Sequence, residues 1–196
     1  MPVRQYLLFE ISITYQLLQM KRFNLLSVIF LITVQPGFAQ QTTADRQEIM
    51  SIINTYSKSV IEKDSTTFYG LFNHDAVTWC AALKDRSVAR EIEKKGIKAA
   101  GRNYFSGSYQ AFMRSLFRYE STEDKFDNIR IIDDGTVASV SMDYSFWADH
   151  KMTNWGSKYL TLIKRDGKWK ITSVIYSLEL IDYFEQPSLQ ERQKGI

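Results

Sequence analysis

The sequence predicts a single α+β domain, with helices first in the chain and an antiparallel sheet after them. Apolar residues recur at helical spacing as far as Tyr119, and beyond it they alternate with a period of two. The dipeptide Asp166-Gly167 separates two alternating runs, which is typical of a tight β-hairpin. The chain has 196 residues and is 44% hydrophobic, so it is long enough to bury one substantial core.

A short apolar segment near the N-terminus is typical of a secretory signal peptide. Met20-Lys21-Arg22 gives it a basic start, and residues 23–34 form its apolar run. The segment ends with the small residues Gly37 and Ala39, which is typical of a cleavage site after Ala39. The run is shorter than the ~20 residues that span a bilayer as a helix, so no permanent membrane anchor is expected. Residues 1–19 are interpreted as a gene-model extension or an unusually long leader start. Cleavage of residues 20–39 would release a periplasmic or secreted protein.

The composition excludes several kinds of site. A net charge of +3, dispersed along the chain, does not indicate a nucleic-acid partner. Cys80 is the only cysteine, which excludes an intramolecular disulfide and a cysteine-based zinc site. The two histidines, His74 and His150, lack helical His-x-x-x-His spacing, so no metal site and no cofactor are predicted. Aromatic residues make up 14% of the chain, which suits either a deep core or an apolar pocket.

The first half of the chain is predicted to be mainly helical. Asp45, followed by Glu48 three residues later, resembles a capping box at the start of the first helix. The predicted elements are, in order, a helix over residues 49–60, a short helix from Ser65, a strand over 76–79, a charged surface helix or loop over 84–98, a loop over 101–107 and a helix over 108–117. These elements supply three helices that can cover one face of a sheet.

The second half is predicted to be an antiparallel meander that ends in a polar tail over residues 184–196. Its predicted elements are a strand over 122–132, a hairpin turn at 133–135, a strand over 136–148, a longer connection over 149–156 and the closing hairpin around Asp166-Gly167. On the long strand Tyr144 and Phe146 belong to the apolar face, and Asp143 lies on the opposite, polar face. On the last strand one predicted face carries Trp169, Ile171, Ser173, Ile175 and Ser177.

This order of elements resembles the nuclear transport factor two-like fold and, within it, the bacterial SnoaL-like group. The resemblance rests on the opening helix, on the segment Phe72-Asn73-His74-Asp75-Ala76-Val77-Thr78-Trp79 and on the closing hairpin Asp166-Gly167-Lys168-Trp169-Lys170-Ile171. It covers residues 45–181 and implies a cone-shaped, curved antiparallel sheet packed on three N-terminal helices. The open end of such a cone forms an apolar pocket, and many members are homodimers that pair through their sheets.

The implied pocket would be lined by rings from the predicted inward faces. The candidate ligand-binding residues are Tyr56, Trp79, Phe112, Tyr144, Phe146 and Ser177. Such rings bind flat apolar ligands well, and tyrosine hydroxyls orient them. Core packing explains the same rings, so both interpretations stay open. Trp155 and Tyr159 fit either a pocket mouth or a dimer interface.

Proton-transfer chemistry has weaker support in the sequence. Many relatives carry histidines on the last strand, whereas this chain has Ser173 and Ile175 at the matching positions. The remaining candidate catalytic residues are Asp143, Glu179 and His74. The sequence therefore predicts a secreted domain that binds a small apolar molecule, with catalysis not established. The alternatives are a pocket enzyme of isomerase, dehydratase or hydrolase type, and a dimeric interaction module whose pocket is filled by its own side chains.

Overall fold

A computed structural model describes residues 37–98 and 103–194. The chain divides into two compact units, Met1–Thr43 and Ala44–Ile196. The predicted leader lies almost entirely outside the described residues, as do residues 1–19, so both remain predictions. Among the described residues, no helix is long and apolar enough to cross a membrane.

The helices differ from the prediction mainly at the start of the first one. The described helices are α1 (Gly37–Glu62), α2 (Ser65–Gly70), α3 (Asp85–Lys95), α4 (Tyr109–Leu116) and α5 (Leu189–Lys194). Because α1 begins upstream of Asp45, the predicted capping box is wrong. The carboxylate of Asp45 instead accepts hydrogen bonds from Nζ of Lys164 and Nε1 of Trp169. It therefore ties α1 to the closing hairpin.

The sheet is curved, unclosed and mixed, with the strand order β2-β1-β6-β5-β4-β3. Its strands are β1 (Thr78–Leu83), β2 (Tyr104–Ser106), β3 (Thr122–Asp133), β4 (Val137–Ala148), β5 (Lys151–Arg165) and β6 (Lys168–Leu180). The predicted meander of β3 to β6 is confirmed. The wholly antiparallel sheet is wrong, because β1 runs parallel to β6 with Trp79 opposite Val174. No hairpin joins these two strands, so no local turn fixes their direction.

Two predicted connections contain more structure than expected. The predicted loop over 101–107 holds β2, which pairs with β1. The predicted connection over 149–156 is a two-residue turn, and β5 begins directly after it at Lys151. Asp149 and His150 both have positive φ, at 50° and 65°, as the two central residues of a type I′ hairpin turn require. Asp-His lacks the usual glycine, which is why the sequence did not reveal this turn.

A β-bulge at Thr172 reverses the alternation of side chains along β6. Thr161 of β5 pairs with Ser173, whereas the next residue, Leu162, pairs with Ile171. Thr172 is therefore the extra residue, and such an insertion moves every later side chain to the other face.

Because of this bulge, the predicted face of the last strand is wrong beyond Thr172. Trp169 is buried as predicted, but beyond the bulge Val174 and Tyr176 take the inward side. Ile175 is 45% exposed and lies on the other side. Ser177 is also on that side, where its hydroxyl accepts a hydrogen bond from the backbone N–H of Ser157 at 3.3 Å. The assignment of these positions to the pocket face is therefore wrong.

The core lies between the inner face of the sheet and helices α1, α2 and α4. Its fully buried side chains include Ile49, Ile53, Val60, Phe68, Phe72, Met113, Leu116, Leu160 and Ile171. The predicted inward face of β4 is confirmed, because Ala138, Val140, Met142 and Tyr144 are all buried. This core surrounds a pair of charged residues that contribute the most distinctive chemistry of the fold.

Candidate functional site

An ion pair between Asp124 and Lys158 lies within the apolar interior. Lys158 is 3% exposed and Asp124 is fully buried. Nζ of Lys158 donates a hydrogen bond to Oδ2 of Asp124. Asp124 comes from β3 and Lys158 from β5, and β4 lies between these strands in the sheet. The two side chains therefore meet over the inner face, and we call them the interior ion pair.

Four aromatic rings surround the ammonium group of Lys158. Its Nζ lies 4.5 Å from the ring centre of Tyr144, 5.0 Å from Phe126, 5.2 Å from Tyr56 and 5.4 Å from Tyr176. Ring faces are electron-rich and attract a cation, most strongly where water is excluded. The interior ion pair and these four rings together form the interior site.

Two polar atoms of the interior site make no hydrogen bond of normal length. Among the described residues, these are the hydroxyl of Tyr56 and Oδ1 of Asp124, which are both buried. The two side chains face each other, and Tyr56 can donate only a weak hydrogen bond to the carboxylate of Asp124. Oδ1 of Asp133 is the third such atom, but Asp133 lies at the far end of β3 and binds Arg46 through its other oxygen. Buried polar groups in folded proteins are almost always hydrogen-bonded. Two such exceptions make the interior site the candidate functional site of the fold.

Burial shifts the pKa values of the interior ion pair toward the neutral forms. It raises the pKa of Asp124 and lowers the pKa of Lys158, while their mutual attraction opposes both shifts. Burial, together with the nearby charge of Asp124, raises the pKa of Tyr56 and of Tyr144 well above the ordinary value. Both hydroxyls therefore stay protonated near neutral pH and remain able to donate hydrogen bonds.

A chain of ring contacts connects the interior site to partly exposed side chains. Tyr176 contacts the ring of Tyr144 at 5.6 Å and that of Trp79 at 6.3 Å. Trp79 in turn lies 5.0 Å from Phe112, which lies 6.1 Å from Phe146. Tyr176, Phe112 and Phe146 are each half-buried. They form the solvent-facing edge of the aromatic cluster.

The predicted ligand-binding residues are brought together, with one exception. Tyr56 and Tyr144 are in the interior site, and Trp79, Phe112 and Phe146 continue the same aromatic cluster. Ser177 lies on the other side of the sheet. Whether the five rings contact a ligand remains a prediction.

The three candidate catalytic residues lie away from the interior site. Asp143 is on the outer side of β4, where its Oδ2 accepts hydrogen bonds from Asn128 at 2.6 Å and from Arg192 at 2.7 Å. His74 is exposed, and the neighbouring Asp75 pairs with Arg165 at 2.8 Å.

Glu179 is fully buried, but beneath helix α3 rather than in a pocket. Its carboxylate accepts hydrogen bonds from Nε of Arg86 and from the hydroxyl of Ser87. Trp155 is next to it on the same outer side, and the guanidinium of Arg86 lies 5.5 Å from the Trp155 ring. These partners give Glu179 a structural role in fastening α3 to β6.

Sequence reasoning missed Asp124, Lys158 and Tyr176, although the first two had a visible signal. Lys158 alternates in phase with Leu160 and Leu162, and Asp124 alternates in phase with the ring of Phe126. A charged residue that shares the period of an apolar face is a candidate for burial with a partner. Tyr176 had no such signal, because the bulge at Thr172 conceals its phase.

The outer side of the sheet carries a groove lined by both polar and aromatic side chains, together with several exposed apolar side chains. The groove has a volume of about 340 Å³ and is lined in part by Asp143, Trp155, Tyr159 and Arg192. Exposed apolar residues of this face are Ile132, Val137, Tyr159 and Ile175. Within the described residues, no cluster of side chains has the composition of a metal site.

Comparisons with known proteins agree with this architecture. Residues 44–177 match the profile of a family described as putative lumazine-binding. No curated protein matches the chain. A putative scytalone dehydratase from Novosphingobium aromaticivorans is similar in structure, with 15% identity, a TM-score of 0.56, and coverage of 76% of this chain and 95% of that one.

Two further solved structures share the fold. A putative dehydratase of the NTF2-like family from Streptomyces avermitilis has 12% identity and a TM-score of 0.51, covering 71% of this chain and 99% of that one. An NTF2-like protein of unknown function from Pseudomonas putida has 13% identity and a TM-score of 0.51, with coverage of 69% and 87%. At such identities the likeness establishes the fold alone. The profile match spans most of the chain. The chain has the nuclear transport factor two-like fold and belongs to the family described as putative lumazine-binding.

Proposed function

We propose that the interior site binds a small planar heterocycle that carries an N–H group beside a carbonyl group. The observation that supports this proposal is that the hydroxyl of Tyr56 and Oδ1 of Asp124 are buried without a hydrogen bond of normal length. The hydroxyl of Tyr56 can donate to a carbonyl oxygen, and Oδ1 of Asp124 can accept from an N–H. A ligand with both groups on one edge satisfies both atoms at once.

The cost of the interior ion pair also favours a functional role. Removing two charges from water costs several kcal/mol for each ion, and well-packed apolar residues are often at least as stable in the same place. Ionisable groups with strongly shifted pKa values cluster at functional sites. The positions of Asp124 and Lys158 therefore suit a binding site better than a core built for stability alone.

The family description supports the chemical class of the ligand. Lumazine is a flat pteridine ring system with adjoining N–H and carbonyl groups, and the family is described as putative lumazine-binding. The rings of Tyr56, Phe126, Tyr144 and Tyr176 offer faces on which such a system can stack. A pocket enzyme is the second candidate, because the relatives of similar fold include putative dehydratases.

Replacing Tyr56 by Phe tests the proposal, because it removes the buried hydroxyl and keeps the ring. We expect the affinity for lumazine to fall about fivefold to tenfold, which corresponds to the loss of one hydrogen bond. We expect the free energy of unfolding of the unliganded protein to change by no more than about 1 kcal/mol, since the buried hydroxyl makes no hydrogen bond of normal length and interacts only weakly with Asp124. Fluorescence titration with lumazine gives the affinity, and urea unfolding gives the stability.

Tyr104→Phe is the matched control, because Tyr104 is 54% exposed. It should bind lumazine as the unaltered protein does. The proposal fails if the unaltered protein does not bind lumazine, or if Tyr56→Phe binds it as tightly as the control.

We also propose that the mature protein starts near Gln40, acts in the periplasm or outside the cell, and forms a homodimer. The predicted leader supports export. Support for a dimer comes from the exposed side chains of Ile132, Tyr159 and Ile175 on the outer face, since an exposed apolar patch often marks an interface. This interaction module is compatible with a ligand on the inner side.

Native mass spectrometry of the protein purified from its own cells tests these proposals together. We expect the mass of two chains that each begin near Gln40, with additional mass where a ligand is retained. A chain that still begins at Met1 would disprove export with cleavage. A purely monomeric spectrum at micromolar concentration would disprove a stable homodimer.

A further inference from the structure

Lys158 has surroundings that ligand binding alone does not require. Lys164 is a useful comparison, because it also pairs with a buried carboxylate, that of Asp45, and lies 5.8 Å from the ring of Trp169. The side chain of Lys164 is 21% exposed, whereas that of Lys158 is 4% exposed. Water therefore reaches one amine and is largely excluded from the other. An amine desolvated in an apolar pocket is a well-established form of activated nucleophile.

The carboxylate of Asp124 is placed to take a proton from this amine. Nζ of Lys158 and Oδ2 of Asp124 are already joined by a hydrogen bond. Transfer of one proton along this bond converts two charged groups into two neutral ones. Burial favours the neutral forms on both sides, because it raises the pKa of Asp124 and lowers that of Lys158. The site can therefore produce a neutral amine without an external base.

We propose that Lys158 is a nucleophile that forms an imine with a small aromatic aldehyde or ketone. The inference rests on the proposed function, since the carbonyl compound must enter the same interior site as the heterocycle. It adds a covalent reaction to a site proposed above for reversible binding.

The reaction balances with the groups that are present. Asp124 takes one proton from the ammonium group of Lys158, and the amine lone pair then forms a bond to the carbonyl carbon. The π electrons of the carbonyl group move to its oxygen, which receives that proton from Asp124. A second proton follows the same route from nitrogen to oxygen, and the oxygen leaves as water. Ammonium and carbonyl compound have then become a protonated imine and water, with one positive charge before and after.

The surroundings of Lys158 suit this product. The protonated imine keeps the positive charge among the rings of Tyr56, Phe126 and Tyr144 and beside Asp124, so no new charge has to be buried. The hydroxyl of Tyr56, which makes no hydrogen bond of normal length within the site, can donate to the carbonyl oxygen as negative charge develops on it. The same rings favour an aromatic carbonyl compound over an aliphatic one.

Reductive trapping tests the inference directly. The full chain is incubated with benzaldehyde, sodium borohydride is added, and the site of the resulting benzyl group is located by peptide mapping. We expect one benzyl group on Lys158, with initial labelling faster than at the exposed Lys151, because Lys158 is desolvated and joined by a hydrogen bond to a carboxylate that can take its proton. Lys158→Arg should lose this adduct, and Lys164→Arg should retain it.

The unaltered protein decides the question even if Lys158→Arg does not fold, because mapping compares lysines within one chain. Labelling spread over exposed lysines, with Lys158 no faster than Lys151, would overturn the imine. Binding of lumazine and of benzyl alcohol is measured in parallel, because neither forms an imine under these conditions. If both bind and Lys158 stays unlabelled, only the imine fails. If neither binds and Lys158 stays unlabelled, the proposed binding function fails as well.

Discussion

Lys158→Met is expected to lower the free energy of unfolding by about 3–5 kcal/mol. The variant removes the ammonium group and leaves the carboxylate of Asp124 fully buried without an opposite charge. The cost of such a change is the desolvation of the remaining charge, which the surrounding rings cannot compensate. Urea unfolding at pH 7, followed by tryptophan fluorescence, measures the difference.

The double variant Asp124→Leu/Lys158→Met should recover most of this loss. It replaces both charges by apolar side chains of similar size, a change that is often neutral or stabilising at buried pairs. The two single variants and the double variant form a cycle that isolates the coupling between the residues. Lys58→Met is the control, because Lys58 pairs with Glu62 on the surface at 3.7 Å, and we expect it to cost no more than about 0.5 kcal/mol.

The cycle also separates stability from function. A double variant that is as stable as the unaltered protein but no longer binds lumazine would show that the interior ion pair is kept for the ligand. If Lys158→Met lowers the free energy of unfolding no more than Lys58→Met does, Asp124 and Lys158 are not a buried pair of charged groups. The proposals for the interior site would then lose their basis.

Most of the fold was predictable because its signals are local. The helical period of α1 and α4 and the turn at Asp166-Gly167 each depend on neighbouring residues. The parallel pairing of β1 with β6 depends on residues about a hundred positions apart, and no turn chemistry reports it. The bulge at Thr172 could not be predicted either, because one extra residue in a strand has no compositional signature.

The site was predictable only in its apolar part. Tyr56 follows the helical spacing of α1 and Tyr144 follows the alternation of β4, so these two periods identified both rings as inward-facing. Asp143 was judged a catalytic candidate for its polar face, and that face binds Arg192 on the outer side instead. Asp124 and Lys158 were overlooked because charged residues in a strand are usually exposed, and only their three-dimensional pairing makes burial possible.

Gly156→Ala is expected to lower the free energy of unfolding by about 3 kcal/mol, near the upper limit for overpacking. A Cβ atom at Gly156 would lie 2.1 Å from the carbonyl oxygen of Ser177 and 2.9 Å from its carbonyl carbon. Both atoms are backbone, so relief requires β5 and β6 to separate rather than a side chain to rotate. Urea unfolding of the variant beside the unaltered protein measures the cost.

The same substitution links the packing of the sheet to the interior site. Ser177 follows Tyr176 in β6, and Lys158 of β5 is paired with Tyr176, so separating these strands moves the ring away from the ammonium group. We therefore expect Gly156→Ala to weaken lumazine binding as well. Gly70→Ala is the control, because no atom lies within 4 Å of its added Cβ, and its stability should change by less than about 1 kcal/mol. If Gly156→Ala has the same free energy of unfolding as Gly70→Ala, the close approach of β5 and β6 at Gly156 is wrong. If Gly156→Ala is destabilised but binds lumazine with unchanged affinity, lumazine binding does not depend on the position of Tyr176.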